Sequence, residues 1–297
     1  MATLEDLSRQ IGAAEDLQSV VSTMKAISVA GIRTHEGAER AMTRYLATIE
    51  AGLQVVLRAM TEVAPDTAGR PIDLTGAVIV GSEIGLCGAF NERLVEYAHQ
   101  ELSALQPDRR LVLVIGTRAA ASWSAEVAPP DIVEDAPATV EALADTVASV
   151  ITRLDAWRDV RGASRFVLFH QRLGDGAGAV PASINLWPIA PDWLSALAAR
   201  PWMSRRLPQC GGPPETLFRK LIRQLLFARV YTAVIQSRVA EHAARLSAMQ
   251  AADRSIAEKL EELRVRYRQR RQDVITAELL DLIAGFEAAT GSEARNN

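Results

Sequence analysis

Four histidines, two cysteines and a serine between glycines are the side chains best suited by type to do chemistry, and their spacing argues against each chemistry in turn. His35, His99, His170 and His242 show neither H-x-x-x-H nor H-E-x-x-H, and no cysteine and carboxylate cluster joins them, so no metal site is expected. Ser82 lies in Val80-Gly81-Ser82-Glu83-Ile84-Gly85, where glycine directly precedes it, so the G-x-S-x-G elbow of a hydrolase is missing. Cys87 sits in a glycine-bounded turn after an apolar run. Its position would suit a nucleophile, but no pattern supplies a base, and a small buried cysteine is the simpler reading. Cys87 and Cys210 form no C-x-x-C pair, which fits a reducing compartment. For phosphate, nothing matches G-x-x-x-x-G-K followed by Ser or Thr. The G-x-G-x-G of Gly174, Gly176 and Gly178 leads into no helix start and meets Pro181, as an exposed turn does. No cofactor is expected. Arg264, Arg266, Arg268, Arg270 and Arg271, with Tyr267 among them, leave three readings: nucleic-acid contact, a solvated face balanced by Glu258, Glu261 and Glu262, or a helix enclosed by a protein sleeve.

The elements that carry these residues fall into three zones. The chain has 297 residues, 48% hydrophobic and 23% charged, with a net charge of -3, which excludes a disordered or strongly basic protein. Its amino terminus has no signal-peptide pattern, and its longest apolar runs fall far short of the roughly 20 residues of a membrane helix, so any membrane role runs through partners. In residues 1–64, Leu4, Leu7, Ile11, Leu17, Val20, Met24 and Ile27 recur at helical spacing, with Gly12, Gly31, Gly37 and Gly52 as points of weakness. After Pro214 neither glycine nor proline recurs until Gly285, and a strict 4-3 count from Met249 through Asp253, Ile256, Leu260, Leu263, Tyr267, Arg270, Val274, Ala277 and Asp281 gives a coiled-coil seam with polar interruptions. The two terminal helices, 1–64 and 214–290, are expected to pair antiparallel. Between them residues 70–210 alternate strands at 77–81, 111–115 and 165–169 with helices at about 91–105, 117–125 and 138–157. That pattern predicts a parallel sheet of βαβ units, with a mobile loop at 171–182 and a hinge at 207–215. The fold class is α/β: a long antiparallel coiled coil with an inserted Rossmann-like domain.

Three separated motifs resemble one family. The run from Arg271 to Gly285, RQDVITAELLDLIAG, is similar to the R-Q-x-x-I-T-x-E-L signature near the carboxy terminus of F-type ATP synthase gamma subunits. EHAARLSAM at 241–249 resembles that family's E-x-A-A-R-M-x-A-M, and GLCGAFN, Gly85, Leu86, Cys87, Gly88, Ala89, Phe90 and Asn91, resembles its G-L-C-G-G-F-N. Ile11, Gln18, Met24, Lys25 and Arg33 stand where the family's first helix has matching residues.

The resemblance implies a non-catalytic central-stalk subunit that rotates inside a ring of alpha and beta subunits and couples ion movement to ATP synthesis or hydrolysis. It also implies an epsilon subunit and a membrane ring of c subunits as partners, no nucleic acid, and a peripheral place on the cytoplasmic face of a bacterial inner membrane. Arg271, Gln272, Thr276 and Glu278 match the segment that contacts the beta subunit, and Met24 and Lys25 match the facing part of the first helix. Departures are Glu83-Ile84 for the usual Asp-Arg, Gly31 and Thr34 for basic residues, ADRSI at 252–256 for A-T-x-N-A, and Phe286 for alanine. They point to a divergent subgroup, such as the alternate F-type ATPases, some of which pump sodium. The rival reading is a coiled-coil scaffold with an α/β hinge domain.

Overall fold

The computed structural model describes residues 3–60, 74–174, 178–202, 204, 206 and 208–293, with the side chains of 107 and 284–293 outside that description. In chain order the elements are α1 (Leu4–Ala59), β1 (Thr75–Val80), α2 (Phe90–Leu102), β2 (Arg110–Ile115), α3 (Thr117–Glu126), β3 (Ile132–Glu134), α4 (Leu143–Arg161), β4 (Arg165–Leu173), β5 (Ala179–Trp187), α5 (Pro191–Ala199) and α6 (Pro214–Glu293). They form two compact units, one of residues 1–26 with 248–297 and one of residues 27–247.

The first unit is an antiparallel helix pair. Lys25 Nζ meets Asp253 at 2.6 Å and Arg264 meets Glu15 at 2.7 Å, so position falls along α1 as it rises along α6. On α6 the sheltered residues follow the 4-3 count: Met249, Leu260 and Leu263 are buried, and Asp253, Ile256, Tyr267, Arg270 and Val274 are half-buried. On α1 the seam differs from expectation. It runs through Leu4, Leu7, Ile11, Ala14, Gln18, Val21 and Lys25, whereas Leu17 and Val20 are 58% and 51% exposed. The spacing 4, 7, 11, 14, 18, 21, 25 keeps one face toward α6, and following the larger side chains at 17 and 20 would rotate the stripe off that face. None of Gly12, Gly31, Gly37 or Gly52 interrupts α1.

In the second unit the strand order is β3-β2-β1-β4-β5, with β5 antiparallel to β4 and the other pairs parallel. Successive residues of a strand point to opposite faces. Val78 and Val80 of β1 accordingly pack with Leu113, Leu168, α4 and the Val230–Val239 stretch of α6. Ala77 and Ile79 pack with Val114, Phe169, α2 and α3 on the other side. A third cluster joins Leu53 and Leu57 of α1 to Leu194 and Leu197 of α5 and Leu225 of α6.

Two expectations are corrected here. The sheet is mixed, because the anticipated loop at 171–182 mostly continues as strand: Gln171 pairs with Pro181 and Leu173 with Ala179. Proline is tolerated because β5 is an edge strand. Gly174 N donates to Gly178 O at 2.8 Å across the turn, and Gly176 lies outside the described residues. The short β3 and α5 carry too few residues for periodicity to reveal them.

Candidate functional site

In a doubly wound sheet the ligand crevice lies at the carboxyl ends of the parallel strands, where connections leave in opposite directions. Here β1 has β2 on one side and β4 on the other, so the crevice opens at residues 81–91. The sequence builds this turn from short bonds. Ser82 N donates to Asn91 Oδ1 at 3.0 Å, and Asn91 Nδ2 donates to Ser82 Oγ at 2.9 Å, joining the end of β1 to the first turn of α2. Gly81 is required because a Cβ there would stand 2.1 Å from Ala119 Cβ. Leu86 takes φ 63° and Gly88 φ 61°, both in the left-handed region, which glycine adopts freely and leucine does not.

A carboxylate of the chain itself sits at the N-terminus of α3. Glu83 Oε1 accepts from Thr117 Oγ1 at 2.6 Å, and Glu83 Oε2 accepts from the backbone N–H groups of Thr117 at 3.1 Å and Ala136 at 3.2 Å. Thr117 opens α3, so this carboxylate sits at a helix N-terminus, where anions are favoured. Burial alone would raise its pKa, but the hydrogen bonds from Thr117 and Ala136 outweigh that and hold it below the usual glutamate value.

The crevice itself is occupied by α6. Ser237 Oγ donates to Val80 O at 2.7 Å. Arg245 Nη2 donates to Ile84 O at 2.9 Å and Arg245 Nε to Gly85 O at 3.2 Å. Arg238 and Arg245 both bond the Glu241 carboxylate, and all three side chains are buried. Cys87 packs beneath with Phe90 and Ala240. Burial pushes its thiol pKa up, so the group stays protonated and a poor nucleophile. Gly85, Leu86, Cys87, Gly88, Phe90 and Asn91 thus form one connected turn. The role of Glu241 and Arg245 in holding it could be read from sequence only through the E-x-A-A-R resemblance, because periodicity cannot see a contact across more than 150 positions.

One turn from this ladder, the His242 ring lies over Gly31, and its centroid is 5.4 Å from that of His35. His35 Nδ1 donates to Gly31 O at 2.7 Å. His35 Nε2 and His242 Nδ1 are buried without a hydrogen-bond partner. Burial, then Arg238, His35 and Arg245, lower the His242 pKa to about 3. Burial likewise lowers that of His35. The other two histidines are elsewhere: His170 Nε2 meets Gln236 at 3.0 Å, and His99 stacks edge-on against Trp123. Among the described residues no three His, Cys, Asp or Glu side chains converge as metal ligands.

The six residues matched to the beta-subunit contact are not brought together. Lys25 is engaged by Asp253, and Met24 is half-buried beside it. Arg271 lies 18 residues beyond Asp253 on α6, about 27 Å at 1.5 Å per residue. Met24 and Lys25 therefore do not face Arg271–Glu278; in this register Leu7 is level with about Arg271 and Leu4 with about Val274. Arg271, Gln272, Thr276 and Glu278 are all exposed. Of the basic run, Arg264 pairs with Glu15, Arg266 with Glu262 and Arg268 with Glu261.

Terminal helices paired as an antiparallel coiled coil, with a doubly wound domain between them in sequence and its crevice filled by its own last helix, define a class of coiled-coil proteins with an inserted Rossmann-like domain. The family profile described as ATP synthase matches residues 3–289. The chain belongs to that family, that of the gamma chains, the central-stalk rotor subunits of F-type ATP synthases. It is 26% identical over 303 residues to the ATP synthase gamma chain of Moorella thermoacetica, covering 97% of this chain and 99% of that one. To the gamma chain of Granulibacter bethesdensis it is 28% identical, covering 97% and 100%. The fold is similar to a chain in the Euglena gracilis mitochondrial ATP synthase structure of OSCP, F1 and c-ring in rotational state 3. The TM-score is 0.68 at 18% identity, over 98% of this chain and 95% of that one.

Proposed function

We propose that the chain acts as a rotating, non-catalytic shaft, with residues 1–64 and 214–290 as its coiled-coil arms and 70–210 as the domain it carries. The observation that favours this most is the exposed aliphatic face of α6 between Ile275 and Ile283. The Lys25 to Asp253 and Glu15 to Arg264 pairs set a register in which Leu4 is level with Val274 or Ile275. Beyond that level Ile275, Leu279, Leu280, Leu282 and Ile283 are exposed on a helix that continues to Glu293. A stripe of exposed aliphatic side chains of this size marks a protein-binding surface, and a surrounding ring of alpha and beta subunits suits it.

In this reading Arg271, Gln272, Thr276 and Glu278 touch the beta subunit. Exposed charged and amide groups can exchange hydrogen bonds as the shaft turns without leaving a buried charge unpaired. Lys25 makes such a contact by exchanging its bond to Asp253, with Met24 alongside. The epsilon subunit and the c ring complete the rotor, and the chain reaches the cytoplasmic face of the membrane through them. Among the described residues no helix is long and apolar enough to cross a membrane.

The test is co-expression with the alpha and beta subunits of the same source, sizing of the product, and ATPase assay with and without this chain. One copy per three alpha–beta pairs is expected, with ATP turnover that depends on it and falls on Gln272→Ala or Glu278→Ala. A folded chain that never enters the ring defeats the proposal.

A further inference from the structure

Within residues 27–247, α6 meets the sheet through two kinds of contact. The stretch Val230–Val239 is apolar against β1, β2 and β4. Apolar contacts of this kind are non-directional. The directional bonds from α6 to the sheet go to two places: Gln236 meets the His170 side chain of β4 at 3.0 Å, and Ser237 and Arg245 donate to the backbone of one short segment, the end of β1 and the turn after it, at Val80, Ile84 and Gly85. Arg245 is also close in sequence to Ser247, where this unit ends.

The turn has reason to need a hold. Leu86 is in the left-handed region, a conformation that costs a leucine energy. Its side chain is 56% exposed and that of Ile84 is 59% exposed, so packing of these side chains does little to repay the cost. The Arg238, Glu241 and Arg245 triad is itself a poor source of stability, since buried ion pairs are commonly matched by apolar residues of similar size. What such a triad does supply is orientation: Glu241 fixes the plane of the Arg245 guanidinium, and the guanidinium fixes two successive carbonyls.

We propose that Arg245, oriented by Glu241, is a positioning residue of the rotor: it locks the turn at Ile84 and Gly85 to α6, so that the helix and the α/β domain turn without slack. The proposal rests on the rotor reading above. Torque arriving along α6 meets this lock before it meets the apolar seat at Val230–Val239, and a turn free to change conformation would absorb part of each step.

The experiment uses the whole complex in inverted membrane vesicles, measuring ATP hydrolysed and ions taken up, with a pH-sensitive dye for protons and radioactive sodium for sodium. Replacing the triad by Arg238→Met, Glu241→Met and Arg245→Met removes the lock without stranding a buried charge. Expected are normal assembly and ATP turnover, with ion uptake per ATP lower by about threefold or more; losing two charge-assisted hydrogen bonds can shift the population of the ordered turn by more than that. Arg245→Lys keeps the pair with Glu241 but reaches only one carbonyl, and should fall between. Uptake per ATP at the wild-type value in the triple variant overturns the proposal. So does loss of the folded chain, which would assign the triad to stability alone. Failure of the wild-type chain to support any ATP turnover defeats the rotor reading instead, and is told apart because it needs no substitution.

Discussion

Gly31→Ala should change sign with the residue at 242. A Cβ built on Gly31 lies 2.5 Å from His242 Cε1 and Nε2 and 2.7 Å from Cδ2, closer than real Cβ contacts come. The ring cannot swing away cheaply, because His242 is buried with His35 at 5.4 Å and Arg238 and Arg245 on its own helix. Overpacking of this kind costs about 1–3 kcal/mol. Alanine in a helix interior recovers about 1 kcal/mol over glycine. With His242 in place the net effect is a loss of about 0–2 kcal/mol; in a His242→Ala background the clash is gone and the same substitution gains about 1 kcal/mol. The assay is a double-mutant cycle of urea unfolding on the purified chain, in which the cavity left by His242→Ala cancels. If Gly31→Ala stabilises both backgrounds equally, the ring does not occupy that space and the reasoning fails.

Three further outcomes are expected. The His242 pKa of about 3 and the lowered value of His35 mean that the unfolded chain binds protons the folded one refuses once the pH drops below about 6.5. Stability is therefore full above that pH and falls as pH falls, by about 2 kcal/mol for His242 alone by pH 5; His242→Gln should flatten the decline in unfolding midpoint between pH 7 and 5, and an unchanged slope would refute the assignment. Leu86→Gly should raise the unfolding free energy by about 0.5–1 kcal/mol, since it relieves the left-handed φ and gives up little packing at an exposed position; a drop in urea unfolding would show that the Leu86 side chain is bound to something. Lys25→Asp and Asp253→Lys should each lower the melting temperature, and the two together should restore it, because the pair sits in the coiled-coil seam and sets its register.

How much of this was legible in the sequence depended on whether a feature is local. The 4-3 count on α6 found the seam because side-chain spacing on one helix is a local property. On α1 the same method went wrong at Leu17 and Val20, because hydrophobicity alone cannot report which face the partner takes when the seam contains Gln18 and Lys25. The parallel strands showed as continuous apolar runs, as strands covered on both faces do. β5 did not, since an edge strand containing Pro181 beside several glycines looks like a loop until its pairing with β4 is seen. Gly31 looked like a weak point of a helix and proved to be a seat for His242, a fact carried by the other end of the chain.

The filled crevice connects fold to function. A doubly wound sheet collects helix N-termini and strand ends at one edge, and the resulting positive potential attracts anions. Here Glu83 takes the anion position at α3, and Glu241 enters between two arginines from a helix that belongs to the coiled coil. An enzyme must leave that edge open to admit and release a ligand. A rotor domain has the opposite need, since a site that opened and closed with a ligand would loosen its hold on α6. Placing carboxylates of the chain at that edge keeps the favourable electrostatics without a ligand. The directional bonds from α6 to the turn after β1 thus have a physical reading: the edge that binds ligands in many doubly wound sheets is used here to hold a helix.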